Sequence, residues 1–120
     1  MKEKSYGIVI KVKDLNVCRS FYRDILELGH PLEDSTFWVA FQIGSGVMLY
    51  LEKVEFDEPL PPRESRIAWF LDCSDPEAFR KKLVDHGYIR NCTCADKAGF
   101  PLLRFTDPEG NPFYLRTVKE

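Results

Sequence analysis

The chain has 120 residues, 44% of them apolar and 30% charged, which suits one folded domain with a single core and is not the composition of a disordered protein. A formal charge of −2 leaves no basic footprint for nucleic acid, and no apolar run approaches the roughly 20 residues of a membrane-spanning helix. The first residues, Met1-Lys2-Glu3-Lys4-Ser5-Tyr6, contain no apolar signal region, so a cytoplasmic protein is expected.

In chain order, residues 7–13 read as a strand with Ile8, Ile10 and Val12 on one face. Asp14 follows as an N-cap. Val17, Phe21, Ile25 and Leu28 then recur at helical spacing, and Gly29 closes that helix. Residues 30–34 fit a strand or a turn. Residues 37–43 form a strand with Phe37, Val39, Phe41 and Ile43 on one face, and Gly44-Ser45-Gly46 turns the chain into a strand over 47–53. Prolines among acids make residues 55–64 an extended connector.

The order then begins again. Residues 66–72 read as a strand, Pro76 opens a helix running to about His86, and Gly87 ends it. Strands follow over 88–93, 102–106 and 112–117, with a loop at 95–101 between the first two. The turn Asp107-Pro108-Glu109-Gly110-Asn111 joins the last two as a hairpin, with Pro112 at the first strand position, where it has no N–H to lose. Asp14 to Gly29 and Asp72 to Gly87 span the same distance, and Phe21 and Phe79 lie equally far past each aspartate. The pattern is a duplicated βαβββ unit. It implies an α+β fold of two units, at about 5–54 and 65–118, joined by the Pro-rich linker. They are expected to form a curved mixed-sheet cup with helices on the outer face.

Cys92 and Cys94 are too close for zinc-knuckle spacing and have no second pair, so free thiols are expected at all four cysteines. His30 and His86 each precede or follow a glycine at a helix end, where histidine usually caps the helix.

The closing hairpin resembles that of the vicinal oxygen chelate superfamily, which includes glyoxalase I, bleomycin- and fosfomycin-resistance proteins and extradiol dioxygenases. The run 8–15 with Phe21-Tyr22-Arg23-Asp24 is similar to the family's opening signature, and 66–72 to the strand that opens its second unit. The resemblance covers essentially the whole chain. It implies four metal-facing positions, usually His, Gln or Glu, which fall here on Gly7, Tyr50, Arg66 and Tyr114. Glycine offers no ligand, neutral tyrosine is a poor one and arginine repels a cation, so no metal and no other cofactor is expected.

On strand alternation the ligand-binding residues of the cup are Trp38, Tyr50, Glu52, Arg66, Phe70, Arg104, Tyr114 and Arg116, with open space where Gly7 lacks a side chain. Aromatic faces stack on planar molecules and arginine forks bind carboxylate or phosphate. The expected function is metal-independent binding of a small anionic or aromatic ligand by a homodimer, as in the glyoxalase/bleomycin-resistance proteins. The same residues also suit a subunit contact, or a module whose cup a partner chain fills. The competing reading is an enzyme of that superfamily, an isomerase, lyase, thiol transferase or dioxygenase. Without metal its acid or base would be Glu52, or Tyr114 beside Arg66.

Overall fold

The computed structural model describes residues 5–55, 57–88, 92–97 and 100–117. The chain divides into two compact units, Met1–Leu60 and Pro61–Glu120.

In the first unit, β1 (Tyr6–Val12) leads into α1 (Leu15–Ser20), and a π-helical turn (Phe21–Ile25) continues it. The short β2 (Glu33–Asp34), β3 (Trp38–Gly44) and β4 (Val47–Lys53) complete a sheet in the order β1-β4-β3-β2. β1 runs parallel to β4, and the other pairs are antiparallel. Asp14 caps α1 by accepting the Val17 N–H at 3.1 Å, as its position in the sequence demands. Sequence spacing implied one regular helix to Leu28, but the Leu26 N–H reaches back five residues to the Phe21 carbonyl. That wide turn rotates the face. Leu15, Cys18, Phe21, Tyr22, Ile25 and Leu26 are buried, whereas Val17, expected inside, is exposed. Phe37 likewise falls before β3 begins and is 64% exposed, so the buried row of that strand starts at Val39.

The second unit repeats the plan: β5 (Trp69–Cys73), α2 (Pro76–Asp85), β6 (Cys92–Lys97), β7 (Phe100–Thr106) and β8 (Pro112–Thr117), in the order β5-β8-β7-β6. Again the first strand is parallel to the last. The duplicated βαβββ topology read from spacing is therefore present, but its residue match was shifted. The second cap is Asp75, which accepts the Ala78 N–H, while Asp72 is a strand residue. β5 starts at Trp69 rather than Arg66, and β6 begins at Cys92 and runs to Lys97, which replaces much of the expected loop at 95–101. Residues 89–91 of the strand expected over 88–93 lie outside those described.

Each helix covers one face of its own sheet. In the second unit Trp69, Phe113 and Phe105 occupy one register row across β5, β8 and β7, stacked at 5.5 and 5.7 Å. Phe79 of α2 meets Phe105 and Phe113 edge-on at 5.1 and 6.2 Å. In the first unit Phe21 and Tyr22 pack edge-to-face at 5.3 Å and Tyr22 reaches Phe41. Gly87, at φ +83°, ends α2 in a conformation other residues resist, but the first helical segment ends earlier than Gly29: its cap is Leu26, and Glu27, at φ +59°, takes the left-handed position after it. His86 sits at the end of α2 with Nδ1 2.8 Å from the Lys82 carbonyl, the capping role expected of it.

Phe113→Ala, at the centre of the aromatic row, should lower stability by about 3–5 kcal/mol in chemical denaturation. Val17→Ala should change it by less than about 0.5 kcal/mol, because Val17 lies outside the core.

Candidate functional site

The face of each sheet turned away from its helix carries the residues that sequence alternation selected, with the exception of Arg66. On the first sheet Trp38 is paired in register with Glu52, and Tyr50 with Ala40 and Val9. Trp38 and Tyr50 are diagonal neighbours on β3 and β4, with ring centroids 4.9 Å apart and planes tilted by 35°. Both are half-buried, as is Glu52. The three residues therefore share one patch, two rings with a carboxylate beside them.

Gly7 does not leave open space here. A Cβ at that position would fall on Cε2 of Tyr50, so the tyrosine ring lies over the bare backbone of β1. Without the glycine the ring could not tilt against Trp38 as it does.

On the second sheet Phe70 is in register with Tyr114, and Tyr114 with Arg104. Phe70 is 56% exposed, with the Arg116 guanidinium 4.9 Å from its ring centre. Arg116 also grips Asp72 with both nitrogens, Nε at 2.6 Å and Nη2 at 2.9 Å from its carboxylate oxygens. The hydrogen bonds of this pair hold the Asp72 carboxyl below its usual range and raise Arg116. Phe70, Asp72, Tyr114 and Arg116 thus form one stripe of the open face, with Arg104 on the neighbouring strand. Asp72 is the member absent from the expected ligand-binding set: the sequence places it at the end of a strand, and only strand pairing sets it opposite Arg116.

Arg66 stands apart from this stripe. It follows the 3₁₀ turn Arg63–Ser65 and precedes β5. Its Nε donates to the Pro61 carbonyl at 3.0 Å, and its Nη1 donates to the Glu109 carbonyl at 2.6 Å and to Asn111 Oδ1 at 3.4 Å. The guanidinium fastens the connector to the closing turn. Inside that turn Asp107, 1% exposed, accepts the backbone N–H groups of Glu109 and Asn111 and the Asn111 side-chain amide, each at 2.9 Å. Gly110, at φ +85°, lies against the Arg63 guanidinium, where a Cβ would find no room. The chemistry of the Asp-Pro-Glu-Gly-Asn run is thus accounted for by a self-satisfied turn.

A divalent metal does not fit the positions that the family resemblance points to. Gly7 has no donor and its space is filled, Tyr50 packs at a tilt against Trp38, and Arg66 is a cation engaged with carbonyls. Among the described residues no group of three or more His, Cys, Asp and Glu side chains is placed to hold a metal ion. Cys18 and Cys73 are free thiols, and burial raises the Cys73 pKa above its ordinary value. The side chains of Cys92 and Cys94 lie outside those described.

The sequence profile of the glyoxalase-like domain matches residues 7–116. The chain belongs to the glyoxalase-like family. Its fold is the glyoxalase/bleomycin-resistance fold of the vicinal oxygen chelate superfamily. A glyoxalase/bleomycin resistance protein from Catenulispora acidiphila superposes with a TM-score of 0.67 at 18% identity, covering 98% of this chain and 100% of that one. A bleomycin-binding protein solved with bleomycin gives 0.65 at 16% identity, with 99% and 100% covered. TnmS3, an antibiotic binding protein from Streptomyces sp. CB03234, gives 0.68 at 20% identity, with 99% and 98% covered. At these identities the likeness is one of fold. No curated protein sequence matches the chain. For this glyoxalase-like protein no helix among the described residues is long and apolar enough to cross a membrane.

Arg66→Ala removes three acceptor contacts from a partly buried guanidinium and should cost about 1–2 kcal/mol of stability, read by denaturant titration. Asp107→Ala should cost more, about 2–3 kcal/mol, because it strands buried N–H groups. Gly7→Ala must move the Tyr50 ring. It should alter the Trp38 emission spectrum while changing stability by less than about 1 kcal/mol.

Proposed function

We propose that this glyoxalase-like protein is a metal-independent binder of small planar molecules, held against the open faces of its sheets. The observation that carries the reading is the Trp38–Tyr50 pair: two half-buried rings set at 4.9 Å on the face opposite the helix, over a glycine that makes room for one of them. A core aromatic pair would be sealed by its own helix, as Phe105 and Phe113 are. This one presents π surface toward a ligand. The exposed Phe70 with Arg116 across its ring offers the same chemistry on the second sheet. The Gly, Tyr, Arg and Tyr at the family's ligand positions support binding without a metal.

The charge preference of the ligand is weaker than composition alone suggests. Arg116 is neutralised by Asp72, Lys11 by Glu58 at 2.9 Å, and Arg66 is occupied by carbonyl groups. Selection therefore rests on ring stacking, with Glu52 as the polar neighbour of the Trp38–Tyr50 pair. The neighbouring folds that bind bleomycin or another antibiotic support the broad class of ligand, a small molecule.

Trp38 is the responsive fluorophore, because Trp69 is only 5% exposed. A panel of planar aromatic compounds should contain members that quench Trp38 saturably and raise the melting temperature. Trp38→Ala should weaken them by about tenfold, the range expected when a stacked ring is lost. Zinc, manganese, iron or nickel ions should produce no comparable thermal shift. A stoichiometric metal that stabilises the fold, or a panel with no saturable binder, would overturn the reading.

A further inference from the structure

The two units carry a charged pair at the same register position, with the charges reversed. In the parallel β5–β8 pair Phe70 faces Tyr114, and two residues further on Asp72 faces Arg116. In the parallel β1–β4 pair Val9 faces Tyr50, and two residues further on Lys11 faces Glu52. The second sheet closes its pair. Arg116 holds Asp72 with two nitrogens, at 2.6 and 2.9 Å, and lies 4.9 Å from the centre of the Phe70 ring. A cation is thus held between a carboxylate and an aromatic ring, all three supplied by the chain itself.

On the first sheet the equivalent carboxylate is unmatched. Lys11 turns to Glu58 of the connector, with Nζ 2.9 Å from Oε2, and gives Glu52 only a longer-range attraction. Among the described residues no hydrogen bond or ion pair engages the Glu52 carboxylate. Glu52 is half-buried, where a charge loses part of its hydration, and it stands directly across from Trp38 in the β3–β4 register. Glu33 of β2, which is exposed, pairs in register with Ala40 and so is a diagonal neighbour of Trp38 on the same face. It too has no ion pair among the described residues. Of the described strand residues on this face, Lys11 is the one cation, set against Glu33 and Glu52, and Glu58 already neutralises it.

Given a ligand stacked on Trp38 and Tyr50, as proposed above, we infer that it is a planar organic cation, an aromatic ring bearing a delocalised positive charge. Its π surface lies on the tryptophan and tyrosine rings, whose electron-rich faces attract a cation. Its charge lies toward Glu52, in the relation that Arg116 has to Asp72 and Phe70 on the second sheet. Glu33 adds attraction at longer range from the exposed side. An anionic ligand, which the arginine content of the chain suggests, would meet two uncompensated carboxylates here and be repelled.

Three probes of similar shape test the charge: N-methylquinolinium, neutral quinoline and anionic 2-naphthoate, titrated calorimetrically into the whole chain at low ionic strength. The cation should bind saturably at one per chain, at least about tenfold tighter than quinoline, with naphthoate weakest. Rising salt should weaken the cation more than quinoline. Glu52→Gln should bring the cation-to-neutral ratio within about threefold, and Glu33→Gln should lower it by a smaller factor. Asp24→Asn removes the same charge on the helix side of this unit and should leave the ratio unchanged. Quinoline or naphthoate binding as tightly as the cation would overturn the cationic preference while the planar-ligand function stood. A ratio unmoved in Glu52→Gln, or lowered as far by Asp24→Asn, would also overturn it. Binding by none of the three would overturn the inference, and the wider panel of planar compounds then decides separately whether the planar-ligand function falls with it.

Discussion

One-sided burial governs this molecule. A four-stranded sheet with a single helix can seal only one of its faces, and in each unit the sealed face takes the apolar register rows. Trp69, Phe113 and Phe105 stack across three strands beneath Phe79. Val39, Phe41, Leu49 and Leu51 lie fully buried on the corresponding side of the first sheet. Because side chains alternate along a strand, the same registers place Trp38, Tyr50 and Glu52, or Phe70, Tyr114 and Arg116, on the opposite side. The available surface is a geometric consequence of the core.

What occupies that surface is decided by smaller interactions. Gly7 permits Tyr50 to lie across β1, and the tilt of Tyr50 sets its distance to Trp38. Asp72 draws Arg116 over Phe70, so a cation that composition would assign to ligand capture is paired within the sheet. Arg66 belongs to the architecture of the closing turn, together with Asp107 and Asn111. Removing arginines from the list of available charges moves the functional emphasis from anion capture on the sheet face to stacking.

Members of the glyoxalase-like family share a scaffold on which the residues at a few strand positions decide the chemistry. Here those positions carry a glycine filled by a ring, a stacked tyrosine and an arginine bonded to backbone carbonyls. Each is explained by a neighbouring group of the protein itself. The family's fold is retained through its hydrophobic rows and its turn, which do not depend on metal ligands.

The sequence alone determined the duplicated βαβββ order, the alternating faces of β3, β4 and β8, the Asp14 cap and the closing turn. All of these rest on interactions between residues close in the chain: strand alternation, an aspartate three residues before the N–H it accepts, a glycine where φ is positive. The tertiary structure decided what depends on partners far apart in sequence. The first helix packs Leu15, Cys18, Phe21 and Tyr22 against its sheet and leaves Val17 exposed, and a π turn brings Ile25 and Leu26 to the same buried side. Strand pairing set Asp72 opposite Arg116, 44 residues away, and Arg66 met the Glu109 carbonyl across 43 residues. Periodicity reports which side of an element faces the core, but only register and folded proximity determine which charges remain available to a ligand.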